Sequence, residues 1–284
     1  MKLTLSEVTR DFINAKKAER LSPLTIKSYR WILQAFSDFI GSDTPFTSVD
    51  IRQIRAYMAS LVDVSDKTAA NHHICLSSLW SFAVADGIVD DHIVRKINIP
   101  KYTVHRIIPF TEKEIRKILA HCKFSRDKAI IFTLLDTGVR ASELIGLRLA
   151  DWRPGYLTVF GKGRKERMVP MSERTDRAIS RQVRLGHPDH PLFANLITGE
   201  PMVYDTLRSL MDRLEDQAGV PDVHAHRFRH TFAITFLRNA GDIYTLQKIL
   251  GHSTLEMVKT YLDIARSDIT RAHEKASPVK VWGL

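Results

Sequence analysis

Between His224 and Tyr261 the chain gathers side chains suited to phosphate chemistry. His226 and Arg229 stand three apart, and residues at that spacing are neighbours on a helix. His252 follows in the turn Leu250-Gly251-His252, and Tyr261 lies nine residues further on. Two groups upstream complement them. Arg140 comes just after the helix break at Gly138, where an arginine can point into a cleft. Lys162 sits between Gly161 and Gly163 at the tip of a hairpin.

Taken singly, each has an ordinary reading: Arg140 paired with Glu143, Lys162 solvated in its turn, the histidines capping helices, Tyr261 packed on Leu255 and Val258. Taken together, they fit metal-free phosphoryl transfer. A phosphodiester in its transition state carries spread negative charge on its non-bridging oxygens. Two guanidiniums offer planar, permanently charged, bidentate donors for that charge. A phenol held in line and deprotonated is a competent nucleophile. A lysine can protonate a leaving 5′ oxygen, and histidines can take the phenolic proton or hydrogen-bond the phosphate.

Other chemistries fit less well. His226 and His230 are four apart, as in zinc hydrolases, but Arg-Phe-Arg lies between them and no Glu follows the first His. Two cations repel a metal ion, so no metal is expected. The Gly-Lys-Gly turn lacks the spacing and the following Ser or Thr of a nucleotide-binding phosphate loop. There is no strand-turn serine elbow.

The elements that must position these groups follow from periodicity. Four helices are expected in residues 1–88. The first covers about Leu5 to Lys17. The second is capped by Ser22 and ended by Gly41, with Ile26, Tyr29, Ile32, Phe36, Phe39 and Ile40 at helical spacing. The third begins after Thr47, with Ile51, Ile54 and Met58 on one face. The fourth runs from Ser65 toward Gly87. Their polar faces hold Lys27, Arg30, Lys67, Asn71, His72 and His73, candidates for phosphate and groove contacts, the fourth helix being the better one for reading bases. Residues 89–109 lose the period and carry prolines and basic residues, so they read as a linker. Thr111 with Glu114 then makes a capping box.

In residues 110–284 an apolar helix over Ala129 to Asp136 stops at Gly138. Strands are expected over Tyr156 to Phe160 and Arg167 to Pro170. Helices follow over Glu173 to Leu185, Tyr204 to Ala218 and about His226 to Asn239, the last with Phe228, Phe232, Phe236 and Ala240 as its core stripe. Asp242 opens a helix closed by Gly251, and Ser253 with Glu256 caps one ending near Tyr261. The fold class is therefore mainly α with a small β-hairpin or sheet, in two domains.

Composition narrows the partner. The 284 residues carry 42 Lys and Arg against 32 Asp and Glu, a net charge of +10 that favours a polyanion such as nucleic acid. Two cysteines, Cys75 and Cys122, lie outside any metal spacing and suit a reducing compartment. No apolar run reaches membrane length and the N-terminus is too polar for a signal peptide, so a cytoplasmic location is expected.

Four motifs carry a resemblance: TGVRASELIGL, GKGRKERMVP, HRFRHTFA and LGHSTLEMVKTYL, in that order. They are similar to the boxes of the tyrosine recombinase (phage integrase) family, including Xer-type resolvases. The resemblance extends over nearly the whole chain, and implies a helical SAM-like core-binding domain and a mixed catalytic domain that together clamp DNA. It places the first arginine at Arg140 and the hairpin lysine at Lys162, with Lys165 as second candidate. It places the His-x-x-Arg box at His226 and Arg229, the second histidine at His252 and the nucleophile at Tyr261.

On that resemblance Tyr261 attacks a DNA phosphate, leaving a 3′-phosphotyrosyl link and a free 5′ hydroxyl. Arg140 and Arg229 clamp the phosphate, His252 hydrogen-bonds it, Lys162 acts as general acid and His226 takes the phenolic proton. Neither ATP nor metal nor other cofactor is implied. The implied partners are double-stranded DNA with short inverted-repeat sites, other copies of the chain in a tetrameric synapse with a Holliday junction, and in some cases an accessory recombinase or DNA-bending protein. The tail past Tyr261 docks on a neighbouring protomer, with Ile264, Ile269, Val281 and Trp282 as candidates, or folds back on its own domain. The start of the chain leaves no stretch for an additional arm-binding domain. A DNA-binding protein of the same fold without strand exchange, or a type IB topoisomerase-like enzyme, are the alternatives.

Overall fold

A computed structural model describes residues 3–102, 107–161, 165–183, 188–195, 198–239, 241–252, 254–265, 273 and 277–283. It divides into two compact units, Met1–His105 and Arg106–Leu284.

The first unit is helical: α1 (Leu5–Ala18), α2 (Pro23–Ile40), α3 (Ile51–Ser60) and α4 (Asp66–Ala85). Each start is chemically marked. Thr4 and Glu7 form a capping box for α1, Ser22 caps α2 with Pro23 at its first position, Asp50 and Gln53 box α3, and Ser65 caps α4. Each such cap contributes on the order of 1 kcal/mol. The core is aromatic: Phe12, Phe36, Phe46 and Trp80 are fully buried, and the Phe46 and Trp80 rings lie 4.8 Å apart. Within the span read as a linker, Ile93–Lys96 forms a 3-10 turn packed on this unit. Val94 is buried there, and His73 Nε2 lies 2.8 Å from the Ile97 carbonyl oxygen.

The second unit opens on α5 (Glu112–Ala120), capped by the expected Thr111–Glu114 box. Helix α6 (Ser125–Thr137) is its central rod, with Ala129, Ile130, Ile131 and Leu134 at 0% exposure. It ends at Gly138, whose φ is +61°. A Cβ there would lie 2.5 Å from Phe232 and 2.9 Å from Leu250, so glycine is needed for both the turn and the packing. The chain then enters α7 (Ala141–Gly146) and an antiparallel sheet of β1 (Trp152–Arg153), β2 (Tyr156–Phe160) and β3 (Glu166–Pro170), in that spatial order. Strand β1 was not expected, since two residues carry no alternation to read.

Helices α8 (Glu173–Gln182), α9 (Tyr204–Ala218), α10 (Ala225–Arg238), α11 (Ile243–Leu250) and α12 (Glu256–Ala265) complete the unit, with a short turn at Pro278–Val281. Helix α12 runs four residues beyond Tyr261, where the sequence reading had it end. On α10 the expected stripe is buried at Phe228 and partly buried at Phe232 and Phe236; Ala240 lies outside the described residues. So do Ser253, half of the expected cap of α12, and Ile269 of the tail. Ile264 packs against its own unit's cluster of Ala233, Ile234, Leu246, Leu250, Val258 and Tyr261, while Val281 and Trp282 are 65% and 71% exposed. Among the described residues no helix is long and apolar enough to cross a membrane.

Candidate functional site

Arg229, on α10, is the anchor of the site. Its side chain is buried, yet its donors are satisfied by two helix ends. Nη1 donates to the Gly138 carbonyl at 2.7 Å, and Nη2 donates to the Leu250 carbonyl at 2.9 Å. Those carbonyls close α6 and α11, whose C-termini carry partial negative charge that favours a cation. Nη2 also lies 2.6 Å from His252 Nε2. Burial lowers the Arg229 pKa to about 10, helped by the charge of Arg140, which still leaves it protonated at neutral pH.

His252 reaches this point because Gly251 takes the left-handed conformation, φ +62°, and turns the chain at the end of α11. Since a guanidinium only donates, His252 Nε2 accepts and the imidazole is neutral. Burial, and then the charges of Arg229 and Arg140, push its pKa down to about 4.

Arg140 caps the start of α7 and approaches the same turn, with its Nη1 and Nη2 each 3.4 Å from the carbonyls of Leu250 and Gly251. Its side chain is 34% exposed and lines an open cleft. Glu143 accepts from its backbone N–H and from Nη1, both at 2.8 Å. Arg167 on β3 binds the same carboxylate. Burial alone raises the Glu143 pKa, but Arg167 and Arg140 hold it at about 2. The cleft is also lined by Ser142, Lys165 and Lys248. Lys162 lies outside the described residues.

Tyr261 is brought in by the packing of α12 on α10, and is 4% exposed. Its hydroxyl lies 2.9 Å from Nδ1 of His230, one residue after Arg229. The exposed His226 ring lies 4.3 Å from that of His230, one helical turn away. The His252 and Tyr261 rings are near-parallel, 6.4 Å apart. Burial raises the Tyr261 pKa and Arg229 pulls it down. Burial, then the neighbouring His226, pushes His230 down to about 4. The resemblance implies His226 as the proton acceptor, and the sequence gives His230 only the spacing of a metal ligand. The imidazole hydrogen-bonded to the phenol is instead that of His230. Spacing could have suggested it, because His230 shares a helical face with His226.

The folded-state values of His230 and His252 lie below the ordinary 6.5. The unfolded chain therefore takes up protons first as pH falls. Stability from these neutral rings is fully present above 6.5 and is lost as pH falls toward about 4. Thermal unfolding at pH 7 and pH 5 reads this: the wild type should lose more stability over the interval than His230→Gln. An identical loss in both would contradict the burial of a neutral His230.

On the first unit, Lys27 and Arg30 of α2 and Lys67 and Asn71 of α4 are exposed, as expected. His72 and His73 are not. His72 is 1% exposed, its Nδ1 is 2.7 Å from the Tyr57 hydroxyl, and Trp31 meets its ring edge-on at 5.3 Å. One residue past Asn71 is about 100° around the helix, which turns His72 away from the outward stripe of Lys67, Asn71 and Ile74. Contact of His72 with a groove is thus corrected: it is a core histidine held by Tyr57.

Residues 109–267 match the phage integrase family, and residues 3–103 match the phage integrase SAM-like domain. Tyrosine recombinase XerC of Oceanobacillus iheyensis is 27% identical over 279 residues, covering 90% of this chain and 91% of that protein. Tyrosine recombinase XerD of Shewanella oneidensis is 28% identical over 276 residues, covering 91% and 92%. Among solved structures, a lambda integrase dimer bound to a COC′ core site is similar at 20% identity and a TM-score of 0.76, over 90% of this chain and 97% of that one. A lambda integrase tetramer bound to a Holliday junction is similar at 20% identity and a TM-score of 0.75, over 89% and 78%.

Proposed function

The chain belongs to the phage integrase family, and on that premise we propose that it is a site-specific DNA recombinase working through a 3′-phosphotyrosyl intermediate and a Holliday junction. The observation that carries this reading is the convergence of Arg229, Arg140 and His252 on the turn at Leu250–Gly251, with the Tyr261 phenol alongside. Two cations beside one buried phenol suit an anionic transition state formed at an oxygen nucleophile.

In the proposed reaction a DNA phosphate enters the cleft and takes donors from Arg140 and Arg229. It draws Arg229 Nη2 from His252 Nε2, and His252, with its proton on that nitrogen, then donates to the phosphate. The Tyr261 oxygen attacks phosphorus and the bond to the 5′ oxygen breaks. The phenolic proton passes to His230, with His226 the next ring outward, and Lys162 protonates the leaving 5′ oxygen. The ester energy stays in the phosphotyrosine, so the return attack by a 5′ hydroxyl needs neither ATP nor metal.

The first unit acts as the core-binding domain through Lys27, Arg30, Lys67 and Asn71, with the Ile93–Lys96 turn packed onto it, and the second unit catalyses. Double-stranded DNA with short inverted repeats is the substrate. By likeness to the lambda integrase tetramer on a Holliday junction, four copies assemble on it in the cytoplasm, with an accessory recombinase or bending protein where the site requires one. Val281 and Trp282 offer apolar surface to a neighbouring copy.

The test is a nicked suicide duplex tiled across candidate inverted repeats and incubated with the protein in EDTA. An SDS-resistant protein–DNA band is expected. Tight binding with no band on any tile would argue for a DNA-binding protein of this fold instead. On the active tile, His230→Gln should slow adduct formation about 10- to 100-fold, and more than His226→Gln does. The reverse order would return the proton to His226.

A further inference from the structure

Arg140 has a competitor for its charge. The Glu143 carboxylate lies 2.8 Å from its Nη1 and is itself buried, where charges attract strongly. A lone carboxylate here would hold the guanidinium against α7 and spend its charge before a phosphate arrived. Arg167 meets that carboxylate from another side. Its Nη1 and Nη2 bind both Glu143 oxygens, at 3.0 and 2.8 Å. Its Nε donates to the Ile249 carbonyl at 2.7 Å, at the end of α11. The Arg167 side chain is 12% exposed, against 34% for Arg140. Both arginines line the cleft, but they divide the work: Arg167 is tied to Glu143 and the Ile249 carbonyl, and Arg140 is the more exposed of the two.

We infer that Arg167 is a positioning residue that neutralises Glu143, leaving the charge of Arg140 for the phosphate, and that pins β3 to the turn bearing His252. This rests on the recombinase reading of Arg140. The turn is fitted to the guanidinium: a Cβ on Gly251 would lie 3.0 Å from Arg167 Nη1. The bidentate fork and the Nε bond use the guanidinium plane in full, which an ammonium cannot reproduce. Arg167 is also five residues from Lys162 along the chain, so the strand it pins leads directly out of the hairpin tip.

The test is single-turnover cleavage of the suicide duplex, with binding measured across salt concentrations, for Arg167→Gln, Arg167→Lys and Arg167→Gln/Glu143→Gln. Arg167→Gln should cleave about 10- to 100-fold more slowly while its affinity and salt slope stay at wild-type values. Arg167→Lys should fall between it and the wild type. The double variant should recover about tenfold over Arg167→Gln, because the carboxylate that captures Arg140 has lost its charge. Wild-type affinity and salt slope in Arg167→Gln itself show that the single variant is folded. A double variant no faster than Arg167→Gln overturns the inference. So does a salt slope reduced by about one, which would make Arg167 a phosphate contact. Wild-type cleavage with an unslowed Arg167→Gln overturns the inference alone; no adduct from wild type overturns the recombinase reading and this inference with it.

Discussion

Tyr261→Phe should bind its DNA site with wild-type affinity and form no covalent adduct. The substitution keeps the ring, so the packing of α12 on α10 is preserved. What is lost is the hydroxyl and its 2.9 Å contact with His230 Nδ1. Losing one such bond costs on the order of 1 kcal/mol, and His230 is only partly buried, so water can replace the partner. The reaction has no such substitute. Without the phenolic oxygen no ester to the 3′ phosphate can form, and the loss should exceed about 10⁴-fold, or roughly 5.5 kcal/mol of barrier. Gel shift and SDS-resistant adduct, run on the same nicked duplex, separate the two effects. An adduct from the variant would move the nucleophile to another residue.

Arg229→Lys should be the most damaging of the charge-conserving changes. The guanidinium satisfies two carbonyls and approaches His252 from one rigid plane, and all three contacts are within 2.9 Å. An ammonium on a flexible stem cannot meet the Gly138 and Leu250 carbonyls together and still face a phosphate. Cleavage should fall by about 10²- to 10³-fold, the scale of removing a preorganised oxyanion donor. Stability should fall by roughly 1–3 kcal/mol, because a buried carbonyl loses its donor. Single-turnover cleavage and thermal unfolding measure the two separately. A variant within threefold of wild type in cleavage would remove Arg229 from the phosphate.

Local signals were legible in the sequence and long-range ones were not. The Thr111–Glu114 box, the Ser22 cap and the helix ends at Gly138 and Gly251 depend on a few adjacent residues, and the sequence reading located each. The motifs placed Arg140, Arg229, His252 and Tyr261 in order, and the structure brings these four into one neighbourhood. The contact of His230 with the phenol is not legible in the sequence because its partner arrives from α12, thirty-one residues on. Arg167 went unremarked because its acceptors lie on α7 and α11. His72 looked polar and outward because residue type was weighed above its angle on α4, where Tyr57 and Trp31 enclose it. Periodicity reports which face is buried, but not which distant group it meets.

The order of the site groups along the chain has a consequence for synthesis. Arg140 precedes Tyr261 by roughly 120 residues, which at about 5–20 residues per second separates their emergence from the ribosome by several seconds. During that interval the Leu250 carbonyl and His252, which hold Arg229, do not yet exist, and the phenol arrives after all of them. On the proposed roles, a chain not yet made as far as Tyr261 presents basic surface to DNA without the phenol that would cut it. On those roles, strand scission waits for the helix that carries Tyr261.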